Sequence, residues 1–338
     1  MRQLHVDNHY VPQLYLKQWA SDGKIQTYRL LVAHRNVPAW RSHSPASIAY
    51  HQHLYTSSRN GAENDDLERW LDSEFEAPAE RPLHLATSDS RLDKEDWRKL
   101  VRFAVAQDVR TPARLRQFLA RQSELLPSML DAAVQRTATR LSDHDAAHFV
   151  PQARDGGFPL RTTIEPAPDG SGSVLRAETI IGRSLWHYSM RHLLTEIISK
   201  IPMTGWTILK PAHGHSWPTS DSPLIRANYW SENKYNFDGG WGTPRGDVLL
   251  PLSPNHLLYR CGGVRTFTRG CRLDISTTQR IIRLIVEHAD RYVFARDAFA
   301  IDRIRNRVVD PHWLQHERMA WEAWHFSQLQ AEQGYSFG

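Results

Sequence analysis

Cysteine is scarce in this sequence of 338 residues, which contains only Cys261 and Cys271. One pair in a chain of this length is not a disulfide framework, and it lacks the Cys-x-x-Cys spacing of structural metal sites. The glycine-flanked stretch between the two cysteines predicts a β-hairpin, which could place the thiols opposite each other. We therefore expect both cysteines to be reduced thiols without an assigned role.

Long apolar runs are also missing. No stretch approaches the roughly 18 uninterrupted apolar residues that a membrane helix needs, and the first seven residues lack the apolar core of a signal peptide. The sequence therefore predicts no membrane partner and a cytoplasmic location. Walker loops, Gly-x-Gly-x-x-Gly, His-Glu-x-x-His and EF-hand motifs are absent too, which disfavours nucleotide-cofactor chemistry.

Positive charge is in modest excess. Arginine and lysine number 42 against 37 acidic residues, and the pI is about 9.2. Arginine forms paired hydrogen bonds with phosphate, so this excess is compatible with a nucleic-acid partner. Arginine in place of lysine on solvated surfaces explains the same numbers, and we favour that simpler interpretation. An apolar fraction of 41% excludes global disorder.

Hydrophobic periodicity predicts a single α+β domain over residues 1–338. Strands and a first helix are expected within 1–60, a helical block within 64–150, and a further helix, a sheet and a terminal helix within 176–338. The glycine- and proline-rich residues 151–175 predict a flexible loop. Because strands are predicted at both ends of the chain, we expect the helical block to pack on a mixed or antiparallel sheet built from N- and C-terminal segments.

The strongest single helix prediction begins after Asp93. Aspartate is a favoured N-cap residue, and Asp96 stands three positions later, as in a capping box. Leu100, Val101 and Ala104 then recur at helical spacing. This pattern predicts a helix with one buried face.

Four short motifs follow one another along the chain. They are His-Tyr-Val-Pro-Gln-Leu-Tyr-Leu at 9–16, Gln-Asp-Val-Arg-Thr-Pro at 107–112, Thr-Ser-Asp-Ser-Pro at 219–223 and Pro-Leu-Ser-Pro at 251–254. With these motifs the chain resembles the domain of unknown function 4238 family, whose members typically open with His-Tyr-Val-Pro-Gln-Phe-Tyr-Leu. The resemblance runs from His9 to about Phe294. It implies no particular chemistry, because the family has no assigned catalytic role.

Three of these motifs contain candidate catalytic residues, namely His9, Arg110 and Asp221. His9 could ligate a metal or act as a general base, since the ordinary histidine pKa lies near neutrality; alternatively, His9 and Tyr10 fix the course of the chain by hydrogen bonds. Asp221 follows a predicted strand and could bind a divalent cation or orient His9. Ser220 is a conceivable nucleophile. The competing interpretation is an Asx- or Ser-turn before proline.

Further candidates lie on the predicted helices and strands. Gln107 and Arg110 are three residues apart at a helix end, where arginine could hold a phosphate or simply complement the helix dipole. Glu68 and Asp72 would share a helix face and could hold Mg²⁺, although a solvated acidic face is commoner. The His-x-His pairs at 51–53 and 213–215 could chelate a transition metal only with a third ligand.

Our leading hypothesis from the sequence is a metal-assisted hydrolase acting on nucleic acid, such as a nuclease in bacterial defence or conflict. In this hypothesis Asp221 binds a divalent metal such as Mg²⁺ or Mn²⁺, with His9 as base or second ligand. Arg110 holds phosphate, while Tyr10, Gln107 and Ser220 contact the substrate.

The alternative is a non-enzymatic binding or sensor scaffold for a protein or small-molecule partner, with aromatic residues lining its groove. Convergence of His9, Arg110 and Asp221 on an open cleft would favour catalysis. Their separate burial in ordinary hydrogen bonds would favour the scaffold.

Overall fold

The computed structural model describes residues 4–59, 62–143, 158–168, 172–231, 234–244, 246–263 and 267–334. The α-helices, labelled in chain order, are α1 (Gln13–Leu16), α2 (Asp66–Leu71), α3 (Glu80–Thr87), α4 (Lys94–Val109), α5 (Pro112–Asp143), α6 (Arg183–His192), α7 (Ile275–His288) and α8 (Pro311–Gly334). The strands are β1 (Asp7–His9), β2 (Ile25–Arg29), β3 (Leu31–Val32), β4 (Trp40–His43), β5 (Tyr50–Gln52), β6 (Ser57–Arg59), β7 (Ala62–Asn64), β8 (Arg161–Pro166), β9 (Ser173–Glu178), β10 (Trp206–Leu209), β11 (Thr219–Ser220), β12 (Ile225–Ser231), β13 (Lys234–Asn236), β14 (Gly246–Ser253), β15 (His256–Cys261), β16 (Tyr292–Ala295) and β17 (Val308–Val309). These elements confirm the predicted α+β fold. None of the helices in the described ranges is long and apolar enough to cross a lipid bilayer.

The main strands form two antiparallel sheets. A five-stranded sheet has the order β10-β15-β14-β12-β13, and a four-stranded sheet has the order β11-β16-β2-β4. In the smaller sheet the N-terminal strand β2 pairs with the C-terminal strand β16, with Arg29 opposite Tyr292. The two ends of the chain are therefore joined by main-chain hydrogen bonds, as the sequence predicts.

Helix α1 is fastened to both sheets by buried side chains. The hydroxyl of Tyr15 donates to the carbonyl oxygen of Pro251 on β14 at 2.6 Å and lies 2.7 Å from the hydroxyl of Thr219 on β11. The indole of Trp19 donates to the carbonyl oxygen of Trp217 at 2.8 Å. These polar groups are shielded from water, so each bond satisfies an atom that would be costly to leave unpaired.

Helix α4 forms the centre of the helical block. The predicted capping box is present, because the Asp93 carboxylate accepts from the Asp96 N–H at 2.8 Å and the Asp96 carboxylate accepts from the Asp93 N–H at 3.1 Å. Leu100, Val101 and Ala104 are fully buried, as the helical spacing predicts. The cap fixes where the helix starts, and the start fixes which face is buried.

The five-stranded sheet is the middle layer of the fold. One face packs on the helical block, and its buried residues there include Val248, Leu250, Leu252 and Leu258. The opposite face packs on α7, and the buried residues of this second cluster include Leu249, Leu257, Ile281 and Leu284. Alternate residues of β14 and β15 thus serve two cores, which explains why both strands are buried along most of their length.

The prediction of a flexible loop at residues 151–175 is wrong for the part of this segment that the structure describes. There β8 and β9 pair as an antiparallel hairpin, with Ile164 opposite Leu175. Both strands are largely exposed, so they lack the apolar alternation that normally identifies a strand. Residues 151–157 and 169–171 of this expected loop, and residues 144–150 of the expected helical block, lie outside the described residues.

Helix α8 is attached through a buried ion pair. Arg183 at the start of α6 donates to both carboxylate oxygens of Glu332, at 2.9 and 2.7 Å. Glu332 also accepts from the Ser58 N–H at 2.8 Å and from the Ser184 hydroxyl at 3.0 Å. A carboxylate this heavily engaged joins α8 to both α6 and β6.

We therefore expect Glu332→Ala to lower the free energy of unfolding by about 3 kcal/mol, because it leaves the Arg183 guanidinium buried without its partner. Glu322→Ala on the same helix is the matched control, since its pair with Arg318 is exposed and long at 3.6 Å. That control should cost less than about 1 kcal/mol. Urea denaturation followed by tryptophan fluorescence measures both, and equal losses would contradict this role of the buried pair.

Candidate functional site

Arg110 is fully buried at the end of α4, with protein groups around its guanidinium. It donates to the carbonyl oxygen of His9 at 2.6 Å, pairs with the carboxylate of Glu76, and lies 3.3 Å from the hydroxyl of Tyr55. The structure thus brings Arg110 next to His9, but through the main chain of His9. An arginine engaged in this way joins β1 to the helical block instead of facing a phosphate.

The rings of His9 and Tyr10 point to different surroundings. The His9 Nε2 atom lies 3.3 Å from the carbonyl oxygen of Ala46, and burial lowers the pKa of His9 below its ordinary value. Tyr10 is buried, and burial together with the nearby charge of Asp221 raises the pKa of its hydroxyl. The interpretation that this segment fixes the course of the chain agrees with these contacts.

Asp221 is buried and serves as an acceptor for the main chain. Its carboxylate accepts from the N–H groups of Asp290, Arg291 and Tyr292 at 2.9, 2.6 and 3.0 Å. Burial and, to a smaller extent, the charge of Asp290 raise its pKa to about 7, against the opposing effect of the three N–H groups. Both carboxylate oxygens are therefore engaged, and they tie β11 to the turn that precedes β16.

The remaining predicted substrate contacts are also buried. The Ser220 hydroxyl accepts from the Ser222 N–H at 3.2 Å, which is the Ser-turn offered as the alternative interpretation. The Gln107 amide donates to the carbonyl oxygen of Phe103 at 3.4 Å, back along the same helix. Among the described residues, His9, Arg110 and Asp221 share no hydrogen-bond partner. Arg110 thus meets His9 only at its main chain, and the Asp221 carboxylate is engaged elsewhere, by the main chain of residues 290–292.

Glu68 and Asp72 were the two acidic residues predicted to hold Mg²⁺, and only Glu68 has an unusual environment. Its Oε2 atom is buried, and no hydrogen-bond partner for it lies within the described residues. Burial raises the pKa of Glu68 to about 7, although nearby Arg110 lowers it. Glu68 is therefore only partly ionised at neutral pH and is buried, whereas Asp72 is exposed, so this pair does not support a shared Mg²⁺ site.

The His51-x-His53 pair takes part in a larger group. His53, Glu63 and His325 place possible metal-ligand atoms within 4.8 Å of one another. However, Arg183 lies 3.1 Å from Nδ1 of His325. Because arginine can only donate, Nδ1 must accept, and Nε2 carries the proton that faces Glu63 at 2.7 Å. A metal would have to displace that proton, so the group is better explained as a hydrogen-bonded link to α8.

A cavity lies on the α7 side of the five-stranded sheet. It has a volume of about 760 Å³ and lies between β12, β14, β15 and the first turns of α7. We call it the aromatic groove, after the side chains of Tyr229, Trp230, Tyr259 and Phe267 that line it. Aliphatic residues of the second core cluster lie beneath them. The groove is therefore apolar at its base and aromatic at its sides.

Charged groups in the aromatic groove differ in whether their hydrogen-bonding atoms have partners within the protein. Asp247 hydrogen-bonds the Tyr259 hydroxyl, and Asp274 caps α7 by accepting from the Thr277 N–H at 2.8 Å. The Arg280 guanidinium lies 5.9 Å from the centre of the Tyr229 ring. Its Nε–H is buried, and no acceptor for it occurs in the described part of the chain. The acids thus have partners, whereas Arg280 is a cation that lines the groove and whose buried Nε–H has no acceptor among the described residues.

Sequence reasoning missed this groove. Its aromatic residues are spread over residues 229–267, and each one fits the ordinary alternation of a half-buried strand or its connection. The only usable signal was the tryptophan and tyrosine content, which also fits a packed core.

The raised pKa of the buried Glu68 carboxyl can be tested through the pH dependence of stability. Its pKa rises from an ordinary 4.5 to about 7 on folding, so its contribution to stability falls as the pH rises between these values. Glu68→Gln removes this ionisation. We expect the stability of the variant relative to wild type to increase by about 1–3 kcal/mol over this interval and then stay constant. Urea denaturation at several pH values measures it, and parallel curves would refute the buried-carboxyl account.

Comparison with known proteins agrees with the four sequence motifs. A family model described as a protein of unknown function (DUF4238) matches residues 7–299. No curated protein and no solved structure gives a match. The matched residues contain both main sheets, the helical block and the aromatic groove, and α8 lies beyond them. This chain belongs to the DUF4238 family of proteins of unknown function.

Proposed function

We propose that this protein binds a small molecule in the aromatic groove, and that the ligand has an apolar or aromatic body and a negatively charged group. The observation that carries the proposal is Arg280, a half-buried cation in an aromatic-lined cavity with an unsatisfied donor. Buried polar atoms without a partner are rare in folded proteins, and an absent ligand is one common explanation.

The size and lining of the groove fit this function. Small-molecule sites are typically clefts of about 300–1,000 Å³ with mainly apolar and aromatic walls and few polar groups, and the groove has about 760 Å³. Tyr229 and Tyr259 present ring faces and edges that stack on flat ligands. Arginine offers a planar fork of donors, which matches a carboxylate or phosphate group. An aromatic anion would therefore satisfy both the walls and the cation.

The nucleic-acid hydrolase of the sequence hypothesis stays a prediction, as do its metal, its defence setting and the cytoplasmic location. The three side chains on which the hydrolase depended all have protein partners: Arg110 donates to the carbonyl oxygen of His9, the His9 ring faces Ala46, and Asp221 accepts from the main chain of residues 290–292. That arrangement is the one expected for the binding or sensor scaffold, and the aromatic groove supplies the scaffold with a site.

A fluorescent aromatic anion, anilinonaphthalene sulfonate, tests the proposal. We expect it to bind the folded wild-type protein, and we expect Arg280→Gln to raise its Kd by about tenfold, because a charge-assisted contact is lost. Trp230→Ala should also weaken binding, since this half-exposed residue lines the groove.

The matched control is Arg318→Gln, which removes the same charge from an exposed position on α8. It should leave the Kd unchanged. Equal Kd values for Arg280→Gln and Arg318→Gln, in variants with wild-type melting temperatures, would show that the probe binds elsewhere and would overturn the proposal.

A further inference from the structure

A second group of reactive side chains lies at the opposite end of the five-stranded sheet. Ser253 is the last residue of β14 and His256 is the first residue of β15, on either side of a tight turn. The Ser253 hydroxyl lies 2.8 Å from Nδ1 of His256. Nε2 of His256 lies 3.2 Å from a carboxylate oxygen of Asp89, in the connection between α3 and α4. A hydroxyl, an imidazole and a carboxylate are thus joined in one chain of hydrogen bonds.

We propose that Ser253, His256 and Asp89 form a nucleophilic site that hydrolyses small acyl esters, with Ser253 as nucleophile, His256 as general base and Asp89 as positioning residue. Such groups are recognised by geometry and roles, not by their order in the chain. The site is independent of the aromatic groove. His256 and Cys261 mark the two ends of β15, so the two sites are about 17 Å apart along the strand.

The hydrogen bonds fix the proton on the required nitrogen. Lys210 lies 2.6 Å from Asp89 and lowers the pKa of this carboxyl, with a smaller effect from His256. The ionised carboxylate can only accept, so Nε2 of His256 carries the proton and Nδ1 presents its lone pair to Ser253. Burial lowers the pKa of His256, which keeps the imidazole neutral at pH 7, as a base must be.

Asp89 is held in an unusual backbone conformation. Its φ angle is +59°, in the left-handed region that aspartate tolerates better than most residues. Its side chain is 56% exposed, whereas those of Ser253 and His256 are almost covered. Asp89 is the residue that follows the C-cap of α3, and the Ser90 N–H donates back to the carbonyl oxygen of Leu85 at 2.9 Å, so this conformation ends the helix and directs the chain beside His256. A substrate would approach from the exposed side of Asp89, and the limited exposure of Ser253 favours a short acyl group.

The charges around this site indicate the kind of ester. Lys210 and Arg269 both lie close enough to His256 to lower its pKa. Lys210 is partly exposed, and Arg269 donates to the carbonyl oxygen of Ser90 beside Asp89. Two cations at the approach attract an ester that carries a negative charge.

The reaction balances without a cofactor. The Ser253 oxygen bonds to the acyl carbon while its proton moves to Nδ1 of His256. The ester C–O bond then breaks, and His256 returns the proton to the departing alkoxide. Water attacks the acyl-serine by the same route and releases the acid, so one ester and one water give one acid and one alcohol.

A fluorophosphonate probe tests this site in the wild-type protein. Attack by Ser253 would form a serine–phosphorus bond with loss of fluoride, and peptide mass spectrometry would locate the adduct. We expect one adduct, at Ser253, whose rate of formation falls as the pH drops and His256 becomes protonated. Asp89→Asn, at an exposed position, should slow labelling by at least about tenfold, since the wrong nitrogen then carries the proton.

Ser90→Ala is the control, because Ser90 lies next to Asp89 outside the hydrogen-bonded chain and should leave labelling unchanged. Ser253→Ala should abolish the adduct if it folds, but the adduct map of the wild type decides the question without it. An unmodified Ser253, adducts spread over several serines, or a rate indifferent to both pH and Asp89→Asn would overturn the proposal. None of these outcomes depends on binding in the aromatic groove.

Discussion

The hydroxyl of Tyr15 joins three distant segments of this chain at one buried point. It bonds the carbonyl oxygen of Pro251 at 2.6 Å and lies 2.7 Å from the hydroxyl of Thr219. These residues belong to three of the four family motifs and to helix α1 and both main sheets. Because a buried polar atom is expensive to leave unpaired, this contact fixes the position of α1 against the sheets. The pairing of β2 with β16 then closes the N-terminal segment onto the C-terminal one.

Buried charges extend the same architecture. Arg110 connects α4 to β1, and Asp221 connects β11 to the turn before β16. At two buried positions the neutral form is favoured: burial lowers the pKa of His187 to about 3 and raises that of Asp221 to about 7. Acidification below the ordinary histidine value of 6.5 therefore weakens the fold through His187, whereas rising pH weakens it through Asp221. The two effects oppose each other, which moderates the pH dependence of stability.

Local signals in the sequence located the main helices and several strands and indicated the general arrangement, but they missed the exposed β8–β9 hairpin. The capping residues Asp93 and Asp96 and the apolar spacing after them located α4, and strands at both ends implied a shared sheet. The candidate site was harder to predict, because the same residue types occur in a motif that stabilises the fold and in a motif that acts on a substrate. The aromatic groove and the Ser253–His256–Asp89 chain depend on contacts between distant positions. Asp89 and His256 are 167 residues apart, and only the fold reveals that they meet.

The central claim is that the family motifs hold the fold together while ligand binding takes place in the aromatic groove. Tyr15→Phe tests it most directly, since it removes one buried hydroxyl and retains the ring. The account predicts that the free energy of unfolding falls by about 1–3 kcal/mol while the folded variant binds anilinonaphthalene sulfonate with the wild-type Kd. Unchanged stability together with lost binding would contradict the account, because it would place the motif in the binding site.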